Sequence, residues 1–189
     1  MKLKILVNLV ACALAVCFAF GSTSAQKRTV PRKPSAVHSA ETILRKEAQR
    51  LSPKQKTLVL TVLGTLDKSD VLFFTGKDAE KFQLNIRNVV PLLDQLEAEL
   101  PKGKFYDLLN STILAYMDFG ILIQIVGIRH EKGEDAFDEK VTNSLAEIAR
   151  RYEKILGTGS NVDMLDTDVG AKLLTFGVNS KKELYGLIR

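Results

Sequence analysis

Apolar residues recur along this chain at intervals of three and four, and no stretch alternates convincingly as a strand does, so the pattern predicts helices only. Ser39 is placed to cap a first helix with Leu44, Ala48 and Leu51 on one face. Ser52-Pro53-Lys54-Gln55 combines a capping Ser, Pro at the first helical position and Gln three residues after the cap. It opens a second helix with the stripe Val59, Val62, Leu63 and Leu66. Asp67-Lys68-Ser69-Asp70 is expected to break that helix, leaving a short apolar patch at Val71-Leu72-Phe73-Phe74. Thr75 and Asp78 then open a helix in which Phe82, Ile86, Val89, Leu93, Leu96 and Leu100 form a heptad seam. Pro91 inside the seam removes a hydrogen bond and predicts a kink in one bent helix. A proline and so few repeats make this seam an internal packing face rather than a dimer coil.

Pro101-Lys102-Gly103-Lys104 is a turn, and residues 105–129 that follow are the most apolar part beyond the N-terminus. Up to Ile128 only Asp107 and Asp118 are charged, and both fall on one narrow stripe with Asn110 and Ser111. A helix so apolar belongs in a protein core or a membrane. Gly120 and Gly127 are expected to let neighbouring helices approach closely. His130 to Glu134 reads as a charged loop. A helix from about Asp135 to Leu156 carries Phe137, Val141, Leu145, Ile148, Tyr152 and Ile155 on one side, and Gly157-Thr158-Gly159 stops it. A further helix is expected from Asp166 to Phe176, then a last short one opened by the capping box Ser180-Lys181-Lys182-Glu183. The fold expected is all-α, a bundle of five to six helices around residues 105–129.

The N-terminus reads differently. Lys2 and Lys4 precede an apolar run from Ile5 to Phe20, and Thr23 and Ala25 stand at −3 and −1 of a cut before Gln26. This is the pattern of a secretory signal peptide, residues 1–25. The alternative is an uncleaved membrane anchor. Residues 26–37 hold four basic residues, two prolines and no acid, and are expected to be a disordered basic arm. A single helical domain, 38–189, completes the chain.

That division changes the charge. The whole chain has 27 Lys and Arg against 22 Asp and Glu, a net +5. Without residues 1–25 the basic count is 27 − 2 = 25 and the net charge 25 − 22 = +3. The arm carries +4, so 3 − 4 = −1 remains for the helical domain. A nearly neutral domain argues against nucleic-acid binding. The arm retains the capacity for weak contact with anionic surfaces. Both cysteines, Cys12 and Cys17, lie in the leader, so the exported chain has no thiol.

Few chemistries survive inspection. His130-Glu131 begins a zinc-protease motif, but position 134 is Glu where the second His belongs. No G-x-S-x-G elbow or phosphate-binding G-K-[ST] occurs, and Asp163, Asp166 and Asp168 lack EF-hand spacing. No metal, cofactor or catalytic residue is assigned. Asp118, a carboxylate on an apolar helix, and Gln124, six residues on, are the candidate ligand-binding residues. The plainer alternatives are that Asp118 lies on a polar stripe at a gap between helices or pairs with an Arg such as Arg87 or Arg150. Leu72, Phe73 and Phe74 are the candidate partner-binding residues. The function expected is an exported, secreted or periplasmic, non-catalytic module that binds a protein partner or an apolar ligand. The alternatives are a membrane-tethered envelope protein, through the leader or residues 108–128, and an enzyme that pairs Asp118 with a second carboxylate.

Overall fold

The computed structural model describes residues 36–74, 79–133, 137–156 and 167–189. They form α1 (Ala36–Gln49), α2 (Pro53–Phe74), α3 (Ala79–Arg87), α4 (Val90–Glu99), α5 (Lys104–Lys132), α6 (Glu139–Leu156) and α7 (Thr167–Ile188). Among the described residues there is no strand, and α3 with α4 make the two halves of one bent helix. The described residues are therefore mostly helical and form six helices counted that way. The leader, the basic arm to residue 35, the Thr75–Asp78 start signal and residues 157–166 lie outside the described residues. The helical part begins inside the stretch read as arm, because α1 already includes Ala36 and Val37, and Ser39 lies within it rather than at its start.

The start of α2 follows its sequence signal. The Ser52 backbone N–H donates to Gln55 Oε1 at 2.8 Å, and the Gln55 N–H donates to Ser52 Oγ at 3.3 Å. The expected break at Asp67–Asp70 does not occur, since α2 runs on to Phe74. The Ser69 hydroxyl donates to the Thr65 carbonyl, and both aspartates turn toward α7. Asp67 and Asp70 thus engage α7 and Ser69 engages Asn85 of α3, instead of ending the helix. Val71 is exposed, but Phe73 is buried edge-on against the rings of Phe82 and Phe119. The side chains of Leu72 and Phe74 lie outside the described positions.

The seam from Phe82 to Leu100 keeps its register across the bend. Phe82, Ile86, Val89, Leu96 and Leu100 are buried, and Leu93 is half-buried. Pro91 sits in the first turn of α4, where its missing N–H costs little. The bend itself is tightened by bonds from the N–H of Asn88, Val89 and Leu92 to carbonyls three residues back.

Helix α5 is longer than its pattern implied, because the expected loop at His130 is its last turn. There Arg129, His130 and Lys132 face the negative end of the helix dipole. At the other end, the Phe105 N–H donates to Glu47 Oε2 of α1 at 2.7 Å. A carboxylate borrowed from α1 thus caps the central helix. Gly103 leaves it room, since a Cβ there would stand 2.8 Å from Glu47 Oε1. Helix α6 starts four residues later than expected, at Glu139, with Asp138 accepting the Val141 N–H at 2.9 Å.

The two helices expected after residue 166 are one, α7, running antiparallel to α5. Its Gly170 lies against Phe119, its Gly177 against Tyr116, and its Ser180 beside Thr112. Ser180 does not cap a helix. Its hydroxyl bonds back to the Phe176 carbonyl at 2.8 Å and accepts from Thr112 Oγ1 at 2.9 Å. The glycines expected to allow close packing are only half so used: Gly120 meets Phe82 and Gln83, whereas nothing stands near Gly127.

Two apolar clusters result. The larger draws on α1, α2, α3, α4, α5 and α7, with Leu63, Phe82, Leu109, Tyr116 and Leu184 among its buried members. The smaller holds Ala115 and Leu122 of α5, Ile148 and Tyr152 of α6, and Val169 and Leu173 of α7.

Two glycines give opposite expectations. A Cβ at Gly177 would lie 2.9 Å from the buried Tyr116 ring. Gly177→Ala should therefore lower stability by about 1–3 kcal/mol. Gly64, inside α2, has nothing within 4 Å of its Cβ position. Gly64→Ala should raise stability by about 0.5–1 kcal/mol through helix propensity. Urea unfolding of the two variants beside the wild type checks both signs.

Candidate functional site

Three arrangements have the makings of a site: a buried lysine cluster, the surroundings of Asp118, and the surface of α4 and α5.

The lysine cluster joins α2, α5 and α7. Only 5% of the Lys181 side chain is exposed, and its Nζ lies 2.6 Å from Asp67 Oδ1 and bonds also to Asp70 Oδ2. The Tyr116 hydroxyl donates to Asp70 Oδ1 at 2.7 Å, and the Tyr185 hydroxyl donates to Asp67 Oδ2 at 2.6 Å. The Tyr116 ring also lies beneath the ammonium, 5.6 Å from it. Burial, then the Asp70 charge, pushes the Tyr116 phenol well above its ordinary range. Burial and the Asp67 hydrogen bond push Tyr185 up to about 12. Both phenols therefore remain donors at neutral pH. Local sequence pattern does not reveal this cluster, because Asp67–Asp70 reads as a break and Lys181 as part of a helix start. Its signal was spacing: Asp67 and Asp70 share one helix face, as do Lys181 and Tyr185.

Asp118 is buried, at 2% exposure, and its partner is Arg151 of α6 rather than Arg87 or Arg150. Arg151 Nη2 donates to Oδ1 at 2.8 Å and Nε to Oδ2 at 3.2 Å, a two-point grip on both carboxylate oxygens. Arg151 Nη1 also bonds the exposed Glu147, so one guanidinium serves two carboxylates. Burial pushes the Asp118 carboxyl up, and Arg151 draws it only part of the way back. The Tyr152 phenol is pushed up as well, by burial and by Asp118. Gln124, six residues along α5, is exposed and does not join Asp118.

On the surface, an open cleft of about 320 Å³ lies between α4 and α5. Leu93, Leu96, Leu109 and Ile113 form its apolar lining, with Glu97, Tyr106 and Asn110 as polar groups. Lys102 stands 3.9 Å from the Tyr106 ring centre and 3.2 Å from Glu97. Farther along α5, Leu122 and Ile125 are buried, Ile123, Val126 and Ile128 are half-buried, and Ile121 and Gln124 are exposed. By length and composition α5 could cross a membrane, and half of its most apolar 18-residue stretch is buried against the other helices. Among the described residues no three His, Cys, Asp or Glu side chains converge to hold a metal ion. Comparison with protein-family models, with characterised proteins and with solved structures finds no match to this chain.

Both charge clusters give testable outcomes. Lys181→Met leaves Asp70 without its cation and should cost about 3–5 kcal/mol in urea unfolding. Adding Asp70→Asn should recover much of that loss.

Asp118 has the opposite sign from most paired carboxylates. Its folded value lies above the ordinary 3.8, so its contribution to stability is complete below 3.8 and is lost as pH rises through the folded value. Relative to Asp118→Asn, the wild type should gain stability as pH falls from 7 toward 3.8. Denaturation curves across that range decide it, and a relative loss on acidification would mean that Arg151 outweighs burial.

Proposed function

We propose that this chain is an exported, non-catalytic helical module that binds a protein partner through the outer face of α5. The observation that supports this reading most is the uneven cover of α5: Ile121 to Ile128 is apolar except for Gln124 and Gly127, yet only Leu122 and Ile125 are buried. Apolar surface left on a soluble helix marks an interaction site. Ile121, Gln124 and Ile128 stand at the i, i+3, i+7 spacing of one face, so a partner helix or strand meets them together. The non-catalytic part of the reading rests on Asp118, whose two oxygens are both engaged by Arg151. An apolar small ligand in the cleft beside Tyr106 is the variant of this reading that the α4–α5 lining supports. A second reading, tethering to a membrane, draws on the length and apolarity of α5. Carbonate extraction separates it, because complete release from membranes is incompatible with tethering.

The test places a photo-crosslinking amino acid at Ile121 and, separately, at Leu60, an exposed aliphatic on α2. In the native exported fraction, a discrete adduct at position 121 and none at 60 is expected. Adducts at neither position, or equally at both, overturn the partner reading. Native mass spectrometry of the same fraction reads the N-terminal cut, expected before Gln26, and any bound small molecule.

A further inference from the structure

Helix α6 is attached to the molecule differently from every other helix. None of its described side chains belongs to the larger apolar cluster. Of its described side chains only Ile148 and Tyr152 are buried, with Leu145 and Ala149 packed beside them in the smaller cluster. The other grips are Arg151 on Asp118, the Tyr152 ring 6.3 Å from that of Phe176, and a long contact of 3.5 Å from the Tyr152 hydroxyl to the Ser111 carbonyl. Helices α5 and α7, in contrast, hold each other through the larger cluster, with Phe119, Tyr116 and Leu174 in it.

We propose that α6 is a displaceable cover, pinned by Arg151 to Asp118, which lifts from its seat between α5 and α7 while the rest of the bundle stays folded. The seat is apolar, built from Ala115, Leu122, Val169 and Leu173, with one carboxylate at its centre. Among the described residues, opening costs the smaller cluster, the ion pair and the two Tyr152 contacts, and local openings of this kind follow low contact density. It also hydrates Asp118, whose burial is costly in the closed form. The pin therefore opposes release only while the guanidinium stays on the carboxylate. Removing the guanidinium alone turns Asp118 from a clasp into a wedge.

Hydrogen exchange with residue-level readout tests this on the full mature chain. In the wild type, amides of α6 around Ile148 to Tyr152 should exchange about tenfold or more faster than those of α5 from Leu109 to Phe119 and of α7 from Leu173 to Leu184. Arg151→Met should speed α6 by a further tenfold or so and leave α2, α5 and α7 unchanged. Asp118→Asn with Arg151→Met, which removes both charges, should bring α6 back to within about threefold of the wild type. Exchange of α6 in step with α5 and α7 in the wild type overturns the proposal, and so does an equal acceleration of all helices in Arg151→Met. The wild-type measurement decides even if a variant fails to fold.

Discussion

The fold depends on how closely α7 can approach α5. Two large aromatic side chains of α5, Tyr116 and Phe119, point at α7, and α7 meets them with glycines seven residues apart, Gly177 and Gly170. Seven residues are almost two helical turns, so the missing side chains fall on one stripe and the rings enter it as knobs. Thr112 and Ser180 extend the same contact with a buried hydrogen bond between small hydroxyls. The central helix can be both long and apolar because this contact covers its first half, while Glu47 completes its N-terminus.

Polar groups inside such a bundle fix register more than they add stability. Lys181 bridges Asp67 and Asp70, two residues a turn apart, and the phenols of Tyr116 and Tyr185 complete the acceptors. A slip of α7 by one turn against α2 would strand an ammonium and two carboxylates together, at far greater cost than the pairing gains. Among buried side-chain nitrogen and oxygen atoms of the described residues, none lacks a hydrogen-bond partner. The clusters at Lys181 and Asp118 therefore work as keys that admit one arrangement of three helices, α2, α5 and α7, and seat a fourth, α6.

The helical nature of the chain, the capping box at Ser52, the seam from Phe82 to Leu100 and the centrality of residues 105–129 were all legible from local pattern. Each is encoded within a few turns of one helix. What escaped the sequence was encoded between helices. Asp67-Lys68-Ser69-Asp70 reads as a break, because four consecutive polar residues normally face water; in the fold only Lys68 is exposed, while the distant Lys181 engages the two aspartates and Asn85 engages Ser69. Ser180-Lys181-Lys182-Glu183 matches a capping box in composition, but Thr112 and the two aspartates recruit its first two members to other work. Asp118 stands out in the sequence as a carboxylate on an apolar helix, but its burial and its partner do not: Arg150 and Arg151 are equivalent in sequence, and only the rotation of α6 chooses between them. Phe73 looked available for the same reason in reverse: its cover, Phe82 and Phe119, comes from two other helices.

The carboxylate of Glu47 on the Phe105 N–H has a consequence for the order of assembly. A helix of 29 residues this apolar is a hazard while it is unaccompanied, since nascent chains expose such surface to one another. One of its first free N–H groups, that of Phe105, is met by a residue 58 positions earlier in the chain. Synthesis runs from the N-terminus, so α1 is already made when Phe105 emerges, and the partner for the new helix end is waiting. An intramolecular contact for the start of this apolar helix is thus available as soon as Phe105 is made.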